Sequence, residues 1–223
     1  MKLQIAIDGP SGAGKSSVAK TLAAMLGIVY VDTGALYRAV GLYTKERGVD
    51  PHDAEGVAAI LPDLSLSIRY ENGKQEVYLN GQATGDRIRT PEMSMYASAV
   101  SAIPAVRAFL LDTQRDIAEK TGVVMDGRDI GTVILPDANV KIFLTASDEC
   151  RAGRRYLELC KKGIRTTPEE VLADMRRRDL DDRTRAIAPA VAAADAVTVD
   201  NSDLTLEETA ARIREIVAQK TGV

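Results

Sequence analysis

The chain has 223 residues, 45% of them apolar and 27% charged, with two Phe, no Trp and a formal net charge of −3. That length fits one compact α/β domain with a sizeable core and room for a small insert, and the ordinary composition excludes disordered, fibrous and low-complexity classes. A mildly acidic chain has no overall basic field with which to grip long nucleic acid, so any anion site has to be local and no polymer partner is expected.

No run of about 18 apolar residues occurs, which excludes an ordinary membrane helix. The apolar start at residues 1–7 is too brief for a signal-peptide core, so a cytoplasmic protein is the expectation. Cys150 and Cys160 have neither metal-ligand nor redox spacing, and they are expected to be buried or idle thiols. The single histidine, His52, lies in a polar stretch and reads as a surface residue.

Residues 3–7 read as a short apolar strand. From 15 to 26, Val18, Leu22 and Leu26 recur at helical spacing before Gly27 closes the helix. A second strand at 28–31 and a helix from about 35 to 47, ending at Gly48, start an alternation that favours a parallel sheet. Between Leu64 and Gly81 the period changes to two, with Asn72-Gly73 as a two-residue turn, which predicts an inserted β-hairpin. Two helical stretches broken at Pro104 follow. Strands at 123–125 and 140–144 then end in Asp126 and Thr145, where a parallel sheet presents residues at its carboxyl edge. Residues 148–194 read as helical and Arg-rich, and 196–199 as a last strand. Thr205 with Glu208 forms a capping box that opens the final helix.

Gly9-Pro10-Ser11-Gly12-Ala13-Gly14-Lys15-Ser16 satisfies G-x-x-x-x-G-K-[ST] between a strand and a helix, as the phosphate-cradling mechanism requires. The glycines let backbone N–H groups turn inward, the helix adds its positive end, and Lys15 reaches the β- and γ-phosphates. Ser16 is the candidate Mg²⁺ ligand through its hydroxyl. A dinucleotide loop fits less well, because Ser17 stands where G-x-G-x-x-G needs its third glycine.

Downstream lie Arg151, Arg154, Arg155, Arg176, Arg177, Arg178, Arg183 and Arg185. An exposed helix with balanced charges accounts for any one of them. As a cluster they suit phosphoryl transfer, which needs two polyanions aligned and their charge neutralised. No guanine-reading N-K-x-D occurs, and an acceptor that is itself a phosphate needs no general base. Thr33, Tyr37 and Arg38 follow the second strand, and Asp126-Gly127-Arg128-Asp129 follows the third, so both groups could meet an acceptor. Each also has a plainer reading: Tyr37 in the core, Asp32 as a helix cap, and Arg128 paired with Asp126 or Asp129.

Five segments in order, IDGPSGAGKS at 7–16, DTGALYR at 32–38, DGRDIGTV at 126–133, PDANVKIFLTAS at 136–147 and RDLDDRTRAIAP at 178–189, resemble the bacterial cytidylate kinases of the nucleoside monophosphate kinase family. The resemblance runs over nearly the whole chain. It implies a P-loop NTPase fold of adenylate-kinase type, α/β with a five-stranded parallel sheet. A single kinase domain would comprise a core at 1–61 and 121–223, an acceptor-binding part at 62–120 with its β insert near 62–90, and an Arg-rich lid at 151–183.

The implied reaction moves the γ-phosphate of ATP, with Mg²⁺, onto CMP and also dCMP, in pyrimidine nucleotide metabolism. ATP would lie on Gly9 to Ser17, with Lys15, Arg128, Arg154 and Arg185 as the catalytic cations. Ser98, Arg107 and Asp129 would read the cytosine, and Thr33, Arg38, Arg128 and Arg185 would surround the acceptor phosphate beside Tyr37. Arg178 and Asp182 would sit near the sugar. Thr33 replaces a Ser common in relatives and keeps the hydroxyl, and Ser16-Ser17 replaces their Gly-Thr. A monomer using small-molecule substrates is the expectation. A P-loop kinase of another small acceptor and a nucleotide-dependent regulatory ATPase remain as rivals.

Overall fold

The structure is a computed structural model, and it describes residues 2–71 and 74–222. The chain forms two compact units, Met1–Tyr30 with Ala118–Val223, and Val31–Ile117. In order, its elements are β1 (Gln4–Asp8), α1 (Lys15–Leu26), β2 (Val29–Asp32), α2 (Thr33–Glu46), α3 (Ala54–Ile60), β3 (Leu66–Glu71), β4 (Lys74–Leu79), β5 (Gln82–Ala83), α4 (Pro91–Ser101), α5 (Pro104–Lys120), β6 (Val123–Asp126), β7 (Val140–Thr145), α6 (Asp148–Lys161), α7 (Pro168–Thr184), β8 (Val197–Asp200) and α8 (Leu206–Thr221).

The main sheet has five strands in the order β2-β6-β1-β7-β8, and the β1–β6, β1–β7 and β7–β8 ladders are parallel. Strands buried on both faces read as continuous apolar runs, and Val123, Val124 and Met125 of β6 are all fully buried. Ile5, Ile7, Val124, Ile142 and Leu144 pack with Val18 and Leu22 of α1 and Ile213 and Val217 of α8 in one core. The register sets Ile7 beside Asp126, so Asp8 and Asp126 emerge together at the carboxyl edge.

The unit Val31–Ile117 has its own core, in which Leu36, Tyr37 and Val40 of α2 meet Val77 and Leu79 of β4 and Met93, Val106 and Leu110. Strands β3, β4 and β5 form a three-stranded antiparallel sheet. The hairpin expected at 64–81 therefore gains a third strand, and the Asn72-Gly73 turn lies outside the described residues. Helix α3, capped by Asp53, has seven residues, too short a run for periodicity to announce it.

The stretch expected to be helical throughout 148–194 is instead two helices and an irregular segment. Gly163, at φ 71°, follows the end of α6, and Thr167 opens α7 with a capping box through Glu170. After Thr184 the chain leaves the helix: Arg185 has ψ 142°, Ala188 lies at φ 48°, and Pro189 offers no N–H to continue a ladder. A small core of Ala152, Leu159, Val171 and Met175 joins α6 to α7. The expected capping box at Thr205 and Glu208 is present on α8.

His52 is exposed. The two thiols are free, Cys150 half-buried and Cys160 exposed, so neither belongs to a core. Among the described residues no single helix is long and apolar enough to cross a membrane.

Candidate functional site: a phosphate cradle and its surroundings

The loop after β1 needs glycine for two different reasons. A Cβ on Gly9, at φ 146°, would overlap the Leu144 carbonyl of the neighbouring strand. Gly14 is the N-cap of α1 in the left-handed region at φ 84°, and it offers no side chain to the helix. Asp32, Asp53, Thr90, Ser147, Thr167 and Thr205 each cap their helix by accepting from a backbone N–H. Helix α1 has neither a cap bond nor an acidic first turn. Its first N–H groups thus lack the partner that those six caps supply, at the point where the sequence predicts a phosphate.

Lys15 is buried, and its Nζ donates to the Pro10 carbonyl at 2.6 Å. Burial holds its pKa well below the ordinary lysine range, and the positive charges of Arg128 and Arg178 add to the effect against Asp126 and Asp8. A desolvated cation among other cations is what a polyanion relieves. Ser16 Oγ donates to Asp126 Oδ2 at 2.9 Å, and Tyr30 donates to Oδ1 at 2.8 Å. Asp126 therefore serves the α1 terminus. The Arg128 Nε donates to Asp182 at 3.0 Å, 54 residues away, a partner that local spacing does not suggest.

Asp182 and Asp129 are both buried. Burial pushes the Asp182 carboxyl up, but Arg128, Arg178 and Arg185 outweigh it and hold it below the ordinary range. Asp129 Oδ1 lies 3.5 Å from Arg185 Nη2, and Arg185 Nε donates to the Ala188 carbonyl at 2.7 Å. The structure thus brings Lys15, Ser16, Arg128, Asp129, Arg178, Asp182 and Arg185 into one charge network within the unit Met1–Tyr30 with Ala118–Val223. Arg154 stands apart from these pairs, donating to the Asn201 side chain and carbonyl at 3.1 and 2.8 Å. A cavity of about 460 Å³ is lined by Pro10, Arg128, Arg151, Arg176, Asp182 and Arg183 among others. Its guanidinium groups suit a polyanionic occupant.

Within the unit Val31–Ile117, Thr33 is the buried first residue of α2. Arg38 is held by the Asp32 carboxylate at 2.8 Å, so Asp32 both caps α2 and orients this arginine. Tyr37 is core, as its plainer reading has it, yet it also carries Arg107 over its ring at 5.7 Å. Arg107 Nη1 donates to the Ser101 carbonyl at 3.3 Å, and the Ser101 hydroxyl donates to the Ser98 carbonyl at 2.8 Å. Residues of α2, α4 and α5 are thereby gathered: Tyr37, Ser98 and Arg107.

Four residues around the loop are absent from the expectations, or present there only as members of an arginine cluster. Arg151 is buried and donates to the Ser11 carbonyl at 2.7 Å and the Ala146 carbonyl at 3.1 Å, while pairing with Asp148 and Asp179. Asp179 accepts from the Ser11 N–H at 3.0 Å. Asn201, which follows β8, donates to the Ala13 carbonyl at 3.0 Å. Its place after a strand of the parallel sheet is the signal that could have found it. The fourth, Asp8, accepts from Ile130 and Gly131 N–H groups at 2.8 Å each and so ties the end of β1 to the segment after Asp129.

Burial pushes the Asp8 carboxyl from its ordinary 3.8 up to about 6, against those two backbone bonds. The folded protein therefore holds a proton on Asp8 between those pH values when the unfolded chain does not. The stability this supplies is lost as pH rises through about 6. One pH unit below the folded value it amounts to about 1.4 kcal/mol. Urea unfolding should find wild type gaining about that much over Asp8→Asn on going from pH 7.5 to pH 5. No gain, or a gain in the other direction, would refute the assignment.

Comparison with known proteins places this arrangement. A family model described as Cytidylate kinase matches residues 5–219. The Cytidylate kinase of Thermosipho melanesiensis is 48% identical over 220 residues, covering 99% of each chain. That of Caldicellulosiruptor bescii is 46% identical over 215 residues, covering 96% of this chain and 95% of the relative. Among solved structures, an uncharacterized protein from Eubacterium ventriosum has a TM-score of 0.54 at 14% identity, covering 97% of this chain and 98% of its own, which is a likeness of fold. With a P-loop cradle on a five-stranded sheet, a family match over almost its entire length and relatives this similar, the chain belongs to the cytidylate kinase family.

Proposed function

We propose that this protein transfers the γ-phosphate of ATP to CMP, and also to dCMP, giving ADP and CDP or dCDP. The family match over residues 5–219 carries the reading. The uncapped start of α1 beside buried Lys15 supports it independently, since a triphosphate is the ligand that backbone donors and a desolvated cation together favour.

ATP lies along Gly9 to Ser17, with Lys15 on its outer phosphates. Ser16 and Asp126 fit Mg²⁺, because a hydroxyl and a carboxylate 2.9 Å apart are hard oxygen donors of the kind that ion prefers. When bound, the ion neutralises phosphate charge. Arg128, Arg154 and Arg185 stabilise the charge on the transferring group, and the Arg-rich segment 151–183 covers it. The acceptor phosphate oxygen is already anionic near neutral pH and attacks in line without a protein base.

Thr33 and Arg38, with Arg128 and Arg185, hold the acceptor phosphate beside Tyr37. Ser98, Arg107 and Asp129 read cytosine, a base with one amino donor and two acceptors, so guanidinium and carboxylate are the matching partners. Arg178 and Asp182 meet the sugar, where Asp182 tunes the preference between ribose and deoxyribose. The protein works as a cytoplasmic monomer on small-molecule substrates.

A coupled assay of ADP formation with ATP and Mg²⁺ tests this. CMP and dCMP should each stimulate ADP formation well above the level given by UMP or AMP. Stimulation by neither would end the reading, and ATP turnover indifferent to all acceptors would favour a hydrolase.

A further inference from the structure

Gln75 lies on the same face of β4 as Val77 and Leu79, because alternate residues of a strand share a face. Val77 and Leu79 are buried with Leu36, Tyr37 and Val40 of α2. Gln75 continues that face, but it is polar, and it meets the backbone of a single residue at two points. The Asp32 N–H donates to Gln75 Oε1 at 2.8 Å, and Gln75 Nε2 donates to the Asp32 carbonyl at 3.1 Å. That is the exchange a neighbouring strand residue would make. Asp32 ends β2, an edge strand of the five-strand order, where no further strand among the described residues supplies it.

A primary amide offers the acceptor and the donor on two atoms of one planar group; a carboxylate accepts alone, and an aliphatic side chain does neither. The held residue then acts on two others. Its carboxylate caps α2 through Ala35 N–H at 2.9 Å and takes the Arg38 Nη2 at 2.8 Å. The Arg38 Nε is buried without a hydrogen-bond partner among the described residues, so the grip of Asp32 on Nη2 sets the guanidinium.

We propose that Gln75 is a positioning residue for the acceptor phosphate: it fixes the Asp32 backbone, and through the Asp32 carboxylate it fixes where Arg38 presents its guanidinium. This rests on Arg38 as a ligand of that phosphate. The inserted sheet thereby contributes to the phosphate site from a strand that need not touch the nucleotide.

Calorimetric titration with cytidine and with CMP separates the phosphate's share of binding. Gln75→Leu should weaken CMP about tenfold, as a loss of about 1.4 kcal/mol does, and leave cytidine affinity unchanged. In turnover it should raise KM for CMP, with kcat and the KM for ATP unchanged. Gln75→Glu keeps the acceptor for Asp32 N–H but sets a carboxylate oxygen against the Asp32 carbonyl, so it should weaken CMP at least as much as Leu does. It carries the same comparison if the Leu variant does not fold. In an Arg38→Ala background, Gln75→Leu should cost CMP nothing more. Equal weakening of cytidine and CMP, or losses that add to those of Arg38→Ala, would overturn the proposal. If Arg38→Ala weakens CMP while both Gln75 variants bind as wild type, Gln75 alone is misassigned. If Arg38→Ala leaves CMP binding intact, the acceptor-phosphate reading falls and this proposal falls with it.

Discussion

Lys15→Met should lose turnover by roughly 10² to 10³-fold, the usual cost of removing one charge-stabilising donor from a transition state, while melting no lower than wild type. The two halves of that result have one cause. Lys15 is buried, and its ammonium is disfavoured first by lost hydration and then by Arg128 and Arg178. Its bond to the Pro10 carbonyl does not restore the hydration of a full charge. A methionine fills the same space without that cost, so the fold keeps or gains stability as function disappears. Thermal melting and ADP release on the same preparation check it. A clear drop in Tm alongside the lost turnover would mean that the lysine holds the loop together and is not kept for a ligand.

Arg151→Ala should be the most destabilising of the arginine substitutions. Arg151 is the buried hub from which the Ser11 and Ala146 carbonyls and the Asp148 and Asp179 carboxylates are served. Removing one member of a buried ionic set leaves its partners uncompensated, a loss of about 3 to 5 kcal/mol. Asp179 and Asp148 are 19% and 38% exposed, so water recovers part of it and the lower figure applies. For a chain of this size about 3 kcal/mol lowers Tm by roughly 6–12 °C. KM for ATP should rise as well, because Ser11 loses both the guanidinium on its carbonyl and the fixed carboxylate on its N–H. Arg151→Lys keeps the charge but lacks the planar fork, and it should recover only part of the stability. A variant melting with wild type would show that the contacts of Arg151 are replaceable by water.

What could be read from the residues follows from how local each signal is. Helix α1 runs from Lys15 to Leu26 and ends at left-handed Gly27, where its periodicity and glycine place it. The P-loop is likewise a contiguous pattern, and a cradle of backbone amides is built by neighbours in sequence. Pairing among many charges is another matter. Spacing offers Arg128 only Asp126 or Asp129, whereas its Nε donates to Asp182, 54 residues on. Arg154 shows the same thing, since its guanidinium donates to Asn201, 47 residues on. The continuous helix read over 148–194 failed at Gly163 and Pro189, because a high count of helix-forming Arg, Glu and Leu outweighed single breakers. Gln75 carries no signal at all, since its partners are backbone groups, which are the same at every non-proline residue.

The decisive measurement is the fate of the terminal phosphate. With γ-labelled ATP, Mg²⁺ and CMP, the account predicts that the label appears in CDP in step with ADP formation. Label released as inorganic phosphate at a rate unaffected by CMP would contradict it.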